Sequence, residues 1–345
     1  MQAQLFESTV MNFTNEIDAS PGRIGDKWQH QLNTGSADPV PVTGFSAIPH
    51  ELHHIRKGAL GKAFSRQQTV KLEGEVQEFA QFTLDKILRS ANEEPFDVKE
   101  AFNRFTAGVI SQSQSLSSGV PDYMGKDIKN VMHQMSVTIP GYIIKAALNN
   151  PGNGGVFCEL LAGTETTAAI LSIITYYLLT QPQTYASLMK DLQGVNPSNL
   201  QWTELEQPPY LWAIIHESLW MMPGVSHRPA RIARDESLIY KSRDGNVGWA
   251  IPRGTPIGMT SMINHWDKEL FPDPDKFEPA RWLVDGQPNY KLQKMSITFG
   301  KRSRSCVGEN LAYCEVYLMP ALMALRVIPR ARLYETTVED ITYVI

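Results

Sequence analysis

Cysteine is scarce in this chain: three among 345 residues, Cys158, Cys306 and Cys314. So sparse and odd a set does not make the framework of a disulfide-stapled extracellular domain, and it points to a reducing, intracellular setting. Long apolar runs are missing as well. The longest strongly apolar stretch, Ala168 to Leu179, falls short of the ~20 residues a bilayer requires and contains Tyr176 and Tyr177, so it reads as a buried helix and no transmembrane segment is expected. The opening residues, MQAQLFESTVMNFTNEID, lack the basic-then-apolar order of a secretory signal. Neither sign of charge dominates. Lys+Arg 32 against Asp+Glu 36 gives a formal net charge of -4, which offers nucleic acid no whole-protein attraction, and no nucleic-acid partner is expected. With 42% hydrophobic and 20% charged residues, the composition also excludes a chain that stays disordered.

What is present is a helical pattern with an irregular insert. Residues 1–49 are polar and turn-rich, with Pro21-Gly22 and Asn33-Thr34-Gly35, and read as an irregular N-terminal segment. Residues 50–345 read as a single domain. Leu72, Val76, Phe79 and Ile87 recur at helical intervals with acids and lysines between them. Residues 98–116 also read as a helix, and an almost continuously apolar helix runs from about Val156 to Leu179. Helices at 183–193 and 203–222 follow, the second entered through Pro208-Pro209. Ten prolines between Pro208 and Pro288, with Gly245, Gly248, Gly254 and Gly258, then imply short strands and a meander. Helical signal returns at 307–326. The fold class is mainly α with a small β portion.

Four segments carry chemistry. The sharpest is Phe299 to Glu315, FGKRSRSCVGENLAYCE. A cysteine at the start of a helix is stabilised as thiolate by the positive end of the helix dipole and its free N–H groups, and a thiolate is a good iron ligand. Arg304, two residues earlier, is spaced to aim a guanidinium at a carboxylate beside the metal, and Gly308 permits close backbone approach. Alone, a Cys-x-Gly reads first as a buried structural cysteine on a helix, and it is the wider context that turns it to a ligand. The second segment is Ala162-Gly163-Thr164-Glu165-Thr166-Thr167, within the apolar helix. Its small residues leave a gap for a flat ligand, and an acid followed by two hydroxyls places proton donors beside it. The plainer reading is that the threonines bond back to carbonyls one turn earlier and bend the helix. The third is His216-Glu217-Ser218-Leu219-Trp220 with the loop Pro223 to Arg228, and the fourth is Phe277 to Trp282, FEPARW. Here a helix carboxylate and a later arginine either pair or are surface charge. Cys158 and Cys314 read as core residues.

In this order and spacing, the four segments resemble the cytochrome P450 family of heme-thiolate monooxygenases, in the style of fungal secondary-metabolism members, over roughly His50 to the end. The resemblance implies an incomplete form of the family's fold, with heme b (iron protoporphyrin IX) as cofactor and Cys306 as its axial, metal-binding ligand. By the same match Glu165 and Thr166 are the catalytic acid–alcohol pair that delivers protons to dioxygen. Arg304, Arg228, His53 and Lys57 match positions that bind the heme propionates, and Phe299 the aromatic that shields the thiolate. The implied reaction inserts one oxygen atom of O2 into a lipophilic small molecule. The implied electron source is NADPH through a flavoprotein reductase, docking where Arg56, Lys57, Lys62, Lys301 and Arg302 supply positive charge. The chain reads as cytoplasmic, whereas the family's location is the endoplasmic reticulum surface.

Four departures from the family pattern carry expectations of their own. Trp220 stands where the family has arginine, three residues after Glu217, which reduces a buried ionic network to Glu217 and Arg281; losing one partner of such a network typically costs ~3–5 kcal/mol. Arg302 stands where the cysteine loop has glycine, and a side chain is costly there if the backbone has φ > 0. The stretch between the early helix and the apolar helix is short, so helices that roof the substrate pocket are expected to be missing. The family's N-terminal anchor and first β elements are expected to be absent. These departures favour a second reading, a degenerate, non-catalytic relative acting as a binding or residual protein.

Overall fold

The computed structural model describes residues 25–28, 47–90, 94–116, 154–225, 230–241 and 246–341. In chain order the helices are α1 (His50–Gly61), α2 (Arg66–Arg89), α3 (Val98–Leu116), α4 (Gly154–Thr180), α5 (Pro182–Asp191), α6 (Trp202–Leu205), α7 (Pro209–Met221), α8 (Ser261–His265), α9 (Tyr290–Met295) and α10 (Glu309–Arg326). The strands are β1 (Gly25–Lys27), β2 (Arg231–Ala233), β3 (Leu238–Lys241), β4 (Gly248–Ile251), β5 (Pro256–Ile257), β6 (Leu283–Val284) and β7 (Gln287–Pro288). Helices dominate and the β portion is small, as the sequence pattern predicts. Pro208 and Pro209 divide the helix expected at 203–222 into α6 and α7, since the second proline can open a helix but neither can continue one.

The chain divides into two compact units. The larger comprises Gly61–Met222, Phe277–Asn289 and Gly308–Ile345. Its centre is built by α2, α3, α4 and α10, which pack against one another in pairs. Helix α2 is amphipathic and buries Leu72, Val76, Ala80, Thr83 and Leu84 along one stripe, leaving Lys71, Glu78 and Lys86 exposed. Along α4, Ala168 to Ile170, Leu171, Ile173, Ile174, Tyr177 and Leu178 are all buried, as an almost wholly apolar helix requires. The stretch Glu309–Arg330 is long and apolar enough to cross a membrane, yet 78% of its apolar window is buried inside the protein, the state of a core helix. Strands β6 and β7 pair antiparallel around Asp285-Gly286, both at positive φ (51° and 75°), the geometry of a tight two-residue hairpin turn.

The smaller unit comprises Met1–Leu60, Pro223–Lys276 and Tyr290–Val307. It holds a three-stranded antiparallel sheet in the order β1-β2-β5 and a β3–β4 hairpin. Strand β1 lies within the segment read from sequence as irregular. It is tied to α1 because the Lys27 N–H donates to Ile48 O (2.9 Å) and the His50 N–H to Asp26 Oδ1 (2.9 Å). Arg234, just after β2, adds an ion pair with Glu51 at 2.7 Å.

Candidate active site

The cysteine loop is shaped by its own backbone and pinned by two cations. After α9 the chain turns at Gly300 (φ 67°), passes Arg302 at φ 56° and makes a short 3-10 turn over Arg302–Arg304. The Cys306 N–H donates to Phe299 O at 2.8 Å, closing the loop on itself. From α1, Lys57 Nζ donates to Ser303 O (2.9 Å) and Ser305 O (2.7 Å) and reaches Ser305 Oγ at 3.2 Å. Arg304 extends the other way, donating to Ala47 O (2.8 Å) and Ile48 O (3.1 Å). Cys306 is thereby held exposed, and Phe299 is half-buried. Gly308 is the N-cap of α10, so the cysteine precedes the helix by three residues. Arg302 bears out the sequence expectation: an arginine occupies a left-handed position that a glycine would take without strain.

Beside the loop stands His53, 7% exposed. Its pKa is pushed down to about 3, first by burial and then by the charges of Arg304, Lys57, Arg231 and His50. These charges are all of one sign. Four of the residues meeting here, His53, Lys57, Arg304 and Arg231, converge from α1, the cysteine loop and β2. Arg231 was not foreseen. The sequence signal for it is the Arg228-Pro229-Ala230-Arg231 spacing, of which the family match covers only the first arginine. Arg228 itself lies outside the described residues.

Glu165 and Thr166 belong to the larger unit. Glu165 is exposed and its Oε1 lies 2.5 Å from Lys99 Nζ of α3. Thr166 Oγ1 donates to Ala162 O, one turn earlier, at 2.6 Å, the back-bonding that the plainer reading foresaw. The expected gap over both small residues is only half realised. A Cβ on Gly163 would overlap Ile110 Cδ1 of α3, so the space at Gly163 is filled, while Ala162, Glu165 and Thr166 share the open face of α4. Across the same contact, Thr106 Oγ1 donates to Thr164 O at 3.2 Å. Of the basic residues expected to form a docking patch, Lys62 and Arg302 are exposed, Arg56 and Lys301 are half-buried, and Lys57 is engaged with the loop. The side chain of Cys158 lies outside the described residues; Cys314 is buried in α10.

The reduced ionic network is rebuilt with indoles. Glu217 is 0% exposed, and its carboxylate accepts from Arg281 Nε (3.2 Å to Oε1), Trp282 Nε1 (2.6 Å to Oε2) and the Glu278 N–H (2.5 Å). Trp220, where the family has arginine, lies under the Arg281 guanidinium, 5.0 Å from ring centroid to Cζ. Burial pushes the Glu217 carboxyl up to about 7, against the opposing pull of Arg281, Glu278 and Trp282. The loss expected from the missing arginine is therefore offset by a cation–aromatic contact and two further N–H donors.

Comparison with known proteins agrees with this architecture. A family profile for cytochrome P450 matches residues 156–326. The cytochrome P450 monooxygenase claJ of Penicillium crustosum is 29% identical over 406 aligned positions, which cover 96% of this chain and 90% of that protein. That alignment is longer than the chain's 345 residues, so the relative has residues where this chain has none. The cytochrome P450 monooxygenase tpcC of Cochliobolus heterostrophus is 40% identical over 165 residues, 47% of this chain and 31% of that protein. The cytochrome P450 monooxygenase astB of Talaromyces wortmannii is 29% identical over 90% of this chain and 70% of its own. A crystal structure of a cytochrome P450 superposes with TM-score 0.64 at 17% identity, covering 91% of this chain and 84% of that one, which speaks for the fold. The class so defined is that of the heme-dependent monooxygenases. Within it, this chain belongs to the cytochrome P450 family, with the internal shortening its sequence announces.

The residues present fit heme. A porphyrin edge with two carboxylates supplies the negative charge that the cations Lys57, Arg231 and Arg304, gathered around the neutral donor His53, call for. An exposed cysteine sulfur on a loop pinned by hydrogen bonds supplies the thiolate donor such a group takes.

Proposed function

We propose that this chain is a heme-thiolate monooxygenase that inserts one oxygen atom of O2 into a lipophilic small molecule in secondary-metabolite formation. The observation that carries the reading is the cysteine loop and its cationic surroundings within one unit: Cys306 exposed, Lys57 on the loop carbonyls, and His53 held neutral in a field of arginines and lysine. Heme b, when bound, supplies dioxygen activation and the oxidising power for hydroxylation. Cys306 would hold the iron through its thiolate, and Phe299 would shield that sulfur. Arg304, Arg228, Arg231, His53 and Lys57 hold the propionates by charge-assisted hydrogen bonds. Glu165 gathers protons at the open face of α4 and passes them by way of Thr166 Oγ1, exchanging its ion pair with Lys99 for each proton it carries. Electrons arrive from NADPH through a flavoprotein reductase steered by Arg56, Lys301, Arg302 and Lys62, an attraction that weakens with salt. The setting is intracellular, at the endoplasmic reticulum surface where such reductases work.

A second reading, a non-catalytic relative, is favoured by the strained Arg302 and by the shortened middle of the chain. Heavy-isotope-labelled dioxygen separates the two. With NADPH, reductase and a panel of lipophilic compounds, the first reading yields a product carrying one labelled oxygen atom. Label entering only from water contradicts it, and no oxidation of any compound supports the second.

A further inference from the structure

Helix α8 buries two polar side chains that the reading above leaves without a task. His265 is 0% exposed and Asn264 7%. Both face the short strap that joins α9 to the cysteine loop. The Ile297 N–H donates to His265 Nε2 at 3.1 Å, and Asn264 Nδ2 donates to Met295 O at 2.8 Å. Because Nε2 accepts, the imidazole is neutral and carries its proton on Nδ1. The helix that presents these groups is itself fastened: Thr260 Oγ1 accepts from the Met262 N–H (3.2 Å), Ser261 Oγ donates to Val225 O (3.2 Å), and the Phe271 ring stands edge-on to His265 at 6.1 Å.

From His265 an unbroken series of backbone hydrogen bonds leads to the cysteine. Ile297, gripped through its N–H, accepts at its carbonyl from the Gly300 N–H at 2.9 Å. Phe299, inside that turn, accepts from the Cys306 N–H at 2.8 Å. Ser296 and Thr298 share a hydroxyl hydrogen bond of 2.9 Å along the same strap. A buried N–H that loses its acceptor retains its full desolvation penalty, so removing Nε2 releases the strap at the head of this series. A displaced strap moves Phe299 O, the acceptor that fixes the cysteine backbone.

We propose that His265, assisted by Asn264, is the positioning residue of the cysteine loop, setting where the Cys306 sulfur stands. The inference rests on the reading of Cys306 as iron ligand, in the way that groups behind a metal ligand orient it. It is tested on the heme-loaded protein by the ratio of thiolate-type to thiol-type Soret absorbance in the reduced carbon monoxide complex. His265→Phe keeps a ring of similar size but no acceptor, and lowers the ratio about tenfold. His265→Gln places an amide oxygen near the position of Nε2 and holds the ratio within about twofold of the parent. Leu238→Ala, which removes a buried side chain of the β3–β4 hairpin, lowers stability and leaves the ratio alone. If His265→Phe does not fold, Asn264→Ser, which loses the Met295 bond alone, gives a shift of about two- to threefold in the same direction. An unchanged ratio in a folded His265→Phe protein, or in Asn264→Ser where that variant stands in for it, overturns the proposal. So does equal loss in the Phe and Gln variants, or in Leu238→Ala. Absence of a thiolate band from the parent protein instead defeats the reading of Cys306, whatever the variants do.

Discussion

Replacing Arg302 with glycine is expected to stabilise the protein. An L-residue in the left-handed region bears roughly 1–2 kcal/mol of steric strain that glycine escapes, and Arg302 sits there at φ 56°. Glycine also gains freedom in the unfolded chain, which returns about 0.4–1 kcal/mol, leaving a net gain of about 0.5–1 kcal/mol. Arg302→Ala separates the backbone from the guanidinium, because alanine keeps the Cβ and hence the strain. The quantity of interest is the difference between the Gly and Ala variants. Gly300→Ala provides the mirror image: its φ is 67°, and a Cβ would meet Arg304 O and Ser305 Cα only at 3.7 Å, so the loss of about 0.5–1 kcal/mol is conformational and not a clash. Urea unfolding at equilibrium reads both as shifts in midpoint at constant slope. If Arg302→Gly is no more stable than Arg302→Ala, the left-handed strain at this loop does not exist and the reasoning fails.

Arg281→Ala leaves the fully buried Glu217 without its cation and removes the contact with Trp220, at a cost of about 3–5 kcal/mol in urea unfolding; a loss under about 1 kcal/mol would mean that the indole and N–H donors suffice. His53 and His216 contribute stability that acid removes below pH 6.5, because they stay neutral in the folded state down to about 3 while their unfolded counterparts take up protons at 6.5. Their share is full above 6.5 and each histidine loses up to about 1.4 kcal/mol per pH unit below it, while the buried Glu217, raised from 4.5 to about 7, acts in the opposite sense between those two values. His216→Phe, set among Trp212, Trp282 and Tyr313, should remove its share of that slope. Gly163→Ala drives a methyl into Ile110 Cδ1 and costs about 1–3 kcal/mol, most of which Ile110→Val in the same chain recovers, as midpoint shifts reveal.

The helical frame was legible because burial writes itself into sequence as a period. Leu72 and Val76 mark the buried stripe of α2, with Phe79 and Ile87 of the same periodicity half-buried beside it, and the near-continuous apolarity of α4 marks a helix whose stretch from Ala168 to Leu178 is largely buried. The boundary at Pro208-Pro209 was visible, but one helix was read where there are two, since a four-residue piece such as α6 carries no period. The site was legible where chemistry lies close in sequence, as around Cys306. It was not legible where partners arrive from distant segments: nothing local says that Lys57 holds the carbonyls of Ser303 and Ser305, or that β2 brings Arg231 toward His53. Trp220 illustrates a different limit. A substitution within a recognised motif was correctly seen as a lost arginine, but the indole's own capacity to carry a guanidinium needed the third dimension. The space at Gly163 was read as a seat for a ligand, and a neighbouring isoleucine takes it.

The account turns on sulfur ligation of heme by Cys306, and the absorption spectrum of the purified, reduced protein under carbon monoxide tests this directly. A thiolate-type Soret band is expected from the parent protein, lost in Cys306→Ser and kept in Cys314→Ser, whose thiol is buried in α10. A thiolate band that survives Cys306→Ser, or that never appears in the parent, would contradict it.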